Sequence, residues 1–107
     1  MKSEYNIISD LIEKNSRVLD VGCDDGTLMQ YLRTNKNVDA RGIEISKDKV
    51  QICIEKGLTV IEGNAEFDLK QFPNNSFDYV VLGQTLQAFI NPETVIKELL
   101  RVGKKAI

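Results

Sequence analysis

The chain has 107 residues, enough for one modest core, with hydrophobic and charged fractions of 42% and 28% that are ordinary for a globular domain. Its net charge of −2, with acids and bases interspersed, removes the electrostatic case for nucleic acid or an anionic membrane surface. There is no histidine and there are two cysteines, Cys23 and Cys53, which nearly excludes zinc sites and histidine triads; no metal is expected.

Cys23 falls in a loop and Cys53 in a helical stretch, so reduced thiols of a cytosolic protein are the simplest expectation. No signal-peptide core and no long apolar run is present, which fits a cytoplasmic chain without a membrane anchor.

Tyr5, Ile8, Leu11 and Ile12 recur at helical spacing and predict a helix over Ser3–Lys14, ended by an Asn15-Ser16 turn. Arg17–Val21 reads as a buried strand. Gly22-Cys23-Asp24-Asp25-Gly26 then breaks the chain, and Leu28, Tyr31 and Leu32 mark a helix over Thr27–Asn35. Asn35-Lys36-Asn37 stops it, and Val38–Ile45 is the second strand, closing in Gly42-Ile43-Glu44-Ile45. Ser46 caps a helix over Lys47–Lys56 whose apolar stripe is Val50, Cys53 and Ile54, with Gly57 as its C-terminal cap.

Leu58–Ile61 is the third strand, ending in Glu62-Gly63-Asn64-Ala65-Glu66. Phe67–Phe72 reads as a short helical turn before the loop Pro73-Asn74-Asn75-Ser76. Phe77–Leu82 is a near-continuous apolar run, suited to a strand covered on both faces. Gly83-Gln84 lies at its carboxyl end. Asn91, Pro92 and Glu93 start a helix as cap, first residue and first-turn acid. Val95, Ile96, Leu99 and Leu100 are its buried stripe, and Gly103 ends it. Lys104–Ile107 reads as the opening of a fifth strand.

Strand and helix alternate throughout, the pattern of an α/β domain with a Rossmann-like, doubly wound, mostly parallel sheet. Right-handed crossovers give the order 3-2-1-4, with a short or missing fifth strand. An uncovered strand-four edge would offer unpaired N–H and C=O groups, so self-association through that edge, or a chain that is part of a longer protein, is expected.

The turn after the first strand carries the chemistry. Strand, glycine turn and helix is the layout of a nucleotide-binding βα unit. The dinucleotide pattern needs glycine at its third and sixth positions, but counting from Gly22 these are Asp24 and Thr27. The phosphate loop ending in Gly-Lys-Ser/Thr is absent too. Asp20, Asp24 and Asp25 surround the turn with negative charge, which repels a pyrophosphate and suits a ligand with a cationic end. S-adenosylmethionine has one, in its ammonium and sulfonium. Glu44, about 20 residues past the turn, belongs at the neighbouring strand tip, where a carboxylate can accept both ribose hydroxyls.

Val18-Leu19-Asp20-Val21-Gly22-Cys23-Asp24-Asp25-Gly26 resembles the first motif of the class I S-adenosylmethionine-dependent methyltransferases. More narrowly, the chain resembles the MetW-type proteins of methionine biosynthesis, through Gly42-Ile43-Glu44-Ile45, Phe77–Leu82, Gln84-Thr85-Leu86-Gln87 and Leu99-Leu100-Arg101-Val102-Gly103. The resemblance implies S-adenosylmethionine as cofactor. Residues 1–107 would then be a single methyltransferase-like domain lacking the family's usual C-terminal strands. Asp20 and Gly22, with Cys23, Asp24 and Gly26 of the same motif, would hold the turn and the amino-acid end. Ile45 and Ala65 would sandwich adenine, and Gly83 and Gln84 would close the cleft. Tyr5 is a candidate cover. Asn64 stands where the family usually has an Asp that meets the adenine amino group; a plain turn with Asn at positive φ is the other reading.

Asp24 replaces the glycine usual in such proteins, so a positive φ there would be tolerated at some cost. No methyl acceptor and no catalytic residue can be named: there is no histidine base and no Asn/Asp-Pro-Pro-aromatic segment after the fourth strand. Two functions fit the resemblance. One is a methyltransferase of unspecified acceptor; the other is a non-catalytic cofactor-binding partner of a homoserine O-acyltransferase. A nicotinamide enzyme is disfavoured by the failed glycine pattern.

Overall fold

The computed structural model describes residues 4–83 and 88–107. The elements run α1 (Glu4–Leu11), β1 (Arg17–Val21), α2 (Thr27–Lys36), β2 (Asp39–Glu44), α3 (Lys47–Glu55), β3 (Thr59–Glu62), α4 (Ala65–Asp68), a 3-10 turn (Leu69–Gln71), β4 (Phe77–Leu82), α5 (Pro92–Val102) and β5 (Gly103–Ala106). The strands form one sheet in the order β3-β2-β1-β4-β5, and every pairing is parallel. This is the expected Rossmann-like order with the fifth strand present and short.

Side chains alternate across β1. Val18 packs with Met29, Leu32, Cys53 and Tyr79 beneath α1, α2 and α3. Leu19 and Val21 pack with Ile43, Val80, Val95 and Leu99 beneath α4 and α5. Asp20 is therefore a carboxylate set into the α1 side of a strand whose neighbouring side chains are all buried.

The apolar run of β4 and the bounds of β1 are those expected. Three helix stripes are narrower than their periodicity predicts. Ile54, Ile96 and Leu100 are exposed, as is Leu11, while Val50, Cys53, Val95 and Leu99 are buried. A short helix lying on one sheet buries only its innermost line, so the second apolar row stays in water.

β5 also changes two expectations. It pairs with β4 from Phe77↔Gly103 to Val80↔Ala106, so the strand-four edge is covered and the premise for self-association through it is removed. Gly103 ends α5 without the left-handed turn of a glycine cap: at φ −115 and ψ 143 it is already the first strand residue. A Cβ there would come within 2.7 Å of Val80 Cγ1, so close packing of β5 on β4 explains the glycine.

Candidate functional site

The carboxyl ends of β1, β2 and β4 open into one cleft of about 510 Å³, at the point where the strand order reverses between β1 and β4. Gly22 and Cys23 come from the turn after β1, Glu44 from the tip of β2, Leu82 from the end of β4 with Gly83 just past it, and Glu4, Tyr5 and Ile8 from α1. Gly22 and Glu44 thus share a crevice. The Gly22 and Cys23 amides both donate to the Ile43 carbonyl, at 2.8 and 3.2 Å, carrying the β1–β2 ladder into the turn.

The turn is held from several sides. Glu44 Oε1 accepts the Asp24 amide at 2.8 Å, and Oε2 accepts the Ser46 amide at 2.8 Å. The Cys53 thiol donates to the Asp24 carbonyl at 3.2 Å, and Lys56 Nζ donates to the Asp25 carbonyl at 2.8 Å. Asp25 Oδ1 accepts the Thr27 amide and hydroxyl at the start of α2, and these bonds hold its carboxyl below the usual range. Asp24 adopts φ 55, so the aspartate does occupy a left-handed position. Its carboxylate pairs with Lys49 at 3.5 Å, an exposed contact worth little energy. Cys23 and Cys53 are both buried free thiols, and burial is the first cause pushing each thiol up.

Five carboxylates line the cleft, from Glu4, Asp20, Asp24, Asp25 and Glu44, with no lysine or arginine among the described residues that line it. Asp20 is the most constrained of them. It is 2% exposed, and its Oδ1 has no hydrogen-bond partner among the described residues. Burial first, and the Glu44 charge second, push its carboxyl up to about 7. A buried carboxylate oxygen left over at the wall of an acidic cleft is a place for a cation that also donates hydrogen bonds.

A second, narrow groove of about 20 Å³ lies across the β2 and β3 tips and shares Gly22 with the cleft. Ile43, Ile45, Gly63, Asn64, Ala65 and Phe89 form it. Ile45 is 61% exposed and stands at the rim, whereas Ala65 and Phe89 are buried and make the floor. Asn64 sits at φ −108, which removes the positive-φ turn reading. It caps α4, its Oδ1 accepting the Glu66 amide at 2.9 Å, while its own amide donates to Asp68 Oδ2 at 2.6 Å.

Of the residues singled out from sequence, Asp20, Gly22, Cys23, Asp24, Glu44 and Gly83 line the cleft, and Ile45, Asn64 and Ala65 line the groove beside it. Gly26 stands behind the turn as the N-terminal cap position of α2, at φ 83. Tyr5 also reaches the cleft. Gln84, with the rest of the Gln84-Thr85-Leu86-Gln87 segment, lies outside the described residues. Sequence reasoning missed Glu4 and Phe89. Glu4 is one acid in a polar helix, and Phe89 is an apolar residue in a loop without periodicity.

Fold and site together define a Rossmann-like domain of the class I S-adenosylmethionine-dependent methyltransferase type. The structure aligns with the [4+2]-cyclase SpnF at a TM-score of 0.81 and 25% identity, over 92% of this chain and 39% of that one. It aligns with an S-adenosyl-L-methionine-dependent methyltransferase of Methanococcus maripaludis at 0.79 and 18%, over 92% and 50%. The family model described as "Methionine biosynthesis protein MetW" matches residues 2–107, and the chain belongs to that family.

A bifunctional methionine biosynthesis protein MetXA/MetW of Rhodopirellula baltica is 32% identical over 108 residues, covering 94% of this chain and 17% of that protein. A demethylmenaquinone methyltransferase of Anoxybacillus flavithermus is 30% identical over 102 residues, covering 87% and 42%. The chain thus spans less than half the length of these two relatives. No helix among the described residues is long and apolar enough to cross a membrane.

Proposed function

We propose that this chain binds S-adenosylmethionine in the acidic cleft and acts as a methyltransferase domain of the MetW family, residues 1–107 forming one cytosolic unit. The observation that carries the reading is Asp20 Oδ1, a buried carboxylate oxygen without a partner among the described residues, in the wall of a cleft whose charged lining groups, among the described residues, are all acids.

Asp20 would take the ligand's ammonium. Glu44 spends one acceptor site of each oxygen on the Asp24 and Ser46 amides, and a carboxylate has about four, leaving capacity for both ribose hydroxyls. Ile45 and Ala65 would lie on either side of adenine, with Asn64 offering its amide group at the edge. Opening the narrow groove falls to Ile45, because an exposed side chain changes rotamer more cheaply than the buried Phe89. Gly22, Cys23, Asp24 and Gly26 form and support the turn beneath the amino-acid end. Gly83 closes the cleft wall, and Gln84 belongs to the same proposal.

Bound there, the cofactor supplies an electrophilic methyl group on sulfur. The chain's own contribution is to orient it and exclude water from one side through α1. The demethylmenaquinone methyltransferase relative favours catalysis; fold alone does not, since the cyclase shares it.

Titration calorimetry tests the reading. S-adenosylmethionine is expected to bind and NADH is not, and Asp20→Asn is expected to weaken binding at least tenfold. NADH binding without S-adenosylmethionine binding overturns it.

A second reading draws on the fusion relative, in which a MetW segment shares one chain with MetXA. Here the domain binds the cofactor without catalysis and docks on a homoserine O-acyltransferase. Co-purification with that enzyme, together with no transfer of labelled methyl to any metabolite, favours it over the first.

A further inference from the structure

We infer that Glu66 is a positioning residue for the adenine groove, acting through Phe89; the inference rests on the cofactor reading above. Glu66 is the second residue of α4, the short helix that starts at the groove with Asn64 and Ala65. Its carboxylate reaches across to the chain after β4. Oε1 accepts the Ile90 amide at 3.0 Å and Oε2 accepts the Asn91 amide at 3.0 Å. Two adjacent backbone amides bound by two oxygens of one carboxylate fix both the distance and the tilt of that segment.

The residue before the clamped pair is Phe89, 7% exposed, packed with Ala65, Leu69 and Val95 and forming part of the groove floor. Asn91, the second clamped residue, caps α5 by accepting the Thr94 amide at 3.4 Å. Glu66 therefore ties the β3 side of the groove to the β4 side. Its own helix is locked by the reciprocal Asn64–Glu66 and Asn64–Asp68 bonds, so the clamp has a rigid base. Without it, the segment that carries Phe89 loses its tie to α4, and the floor loses its fixed height against Ile45.

The test uses the whole chain, with S-adenosylmethionine and 5′-methylthioadenosine as probes. The second carries adenine and ribose without the amino-acid end. Glu66→Gln leaves one accepting oxygen and turns an NH2 donor toward a backbone donor. The expected result is a shift of the Ile90 and Asn91 amide resonances without ligand and about tenfold weaker 5′-methylthioadenosine binding, roughly 1.4 kcal/mol. Phe89→Leu is expected to weaken the same binding with the two amide resonances kept, and the double variant to lose less than the sum of the two.

Unmoved amide resonances in Glu66→Gln overturn the inference. So does unchanged 5′-methylthioadenosine affinity in a folded Glu66→Gln, or full additivity in the double variant; in these cases S-adenosylmethionine binding by the wild type stands. If Glu66→Gln does not fold, full-strength binding by Phe89→Leu overturns it. Failure of the unsubstituted chain to bind either probe removes the cofactor reading and this inference with it.

Discussion

Glu44 holds Asp24 by its backbone: the carboxylate at the tip of β2 accepts the Asp24 amide at 2.8 Å, and its other oxygen accepts the Ser46 amide at the same distance. One buried side chain thus fixes the turn after β1 and the entry to α3 together. Any ligand contact at Glu44 is made by a group that is already aimed, since both oxygens are anchored before a ligand arrives.

Glu44→Gln is accordingly expected to damage both the fold and the site. A glutamine has a single accepting oxygen, so either the Asp24 or the Ser46 amide would face an NH2 donor. A loss of roughly 1–3 kcal/mol is expected in urea denaturation, with S-adenosylmethionine binding weakened at least tenfold in calorimetry. Unchanged stability would show that the two bonds do not set the turn.

Asp24 at φ 55 supports a finer comparison. Asp24→Ala puts a residue without a locally bonding side chain into the left-handed region and is expected to cost about 1 kcal/mol. Asp24→Gly removes the strain but adds unfolded-state freedom, so a net change within about 0.5 kcal/mol is expected. Urea midpoints of the three proteins at equal m-values check the ranking.

How much of this was legible in the sequence follows from what each residue does locally. β1 and β4 are apolar runs bounded by breakers, and their ends coincide with those read from sequence. Asp20, Gly22, Glu44 and Gly83 sit at or just past strand ends that topology brings together, so spacing finds them, whereas Glu4 reaches the cleft from α1 and spacing does not. Gly103 was legible as a helix terminator but not as a strand residue, because its reason lies in Val80, far away in sequence. Periodicity reads Ile96 and Leu100 as buried; it reports an apolar face but not how wide a neighbour covers it. Glu66 and Phe89 gave no signal, because a clamp from a short helix to the loop before α5 has neither period nor motif.

Asp20 yields a pH dependence with a fixed sign. Its carboxyl titrates near 3.8 in the unfolded chain and is pushed up to about 7 in the fold by burial and then by Glu44. Between these values the folded chain binds more protons than the unfolded one, so stability falls as pH rises from about 4 to about 7, then levels off. The full span is on the order of 4 kcal/mol. A cationic ligand favours the ionised form, so S-adenosylmethionine affinity is expected to rise by up to about tenfold per pH unit between roughly 5 and 7. Asp20→Asn should flatten both slopes. Urea denaturation and calorimetry across that range measure them, and a wild-type affinity independent of pH would remove Asp20 from the ligand's contacts.

Gly83 tests whether the β4 wall and the β1 turn act as one unit. Its amide donates to the Val21 carbonyl at 2.6 Å, and an added Cβ would come within 2.4 Å of the Gly22 carbonyl oxygen and 3.0 Å of that of Val21. These are backbone atoms of the turn itself, so Gly83→Ala has to push the turn rather than a side chain. A loss of about 1–3 kcal/mol in urea denaturation is expected, with S-adenosylmethionine binding weakened at least tenfold. Gly57→Ala provides the contrast: its φ is 79 and nothing lies within 4 Å of the added Cβ, so backbone strain of about 1 kcal/mol is expected with no change in affinity. Equal affinities for the two variants would separate the wall from the turn, because the strain would then cost stability in both and geometry in neither.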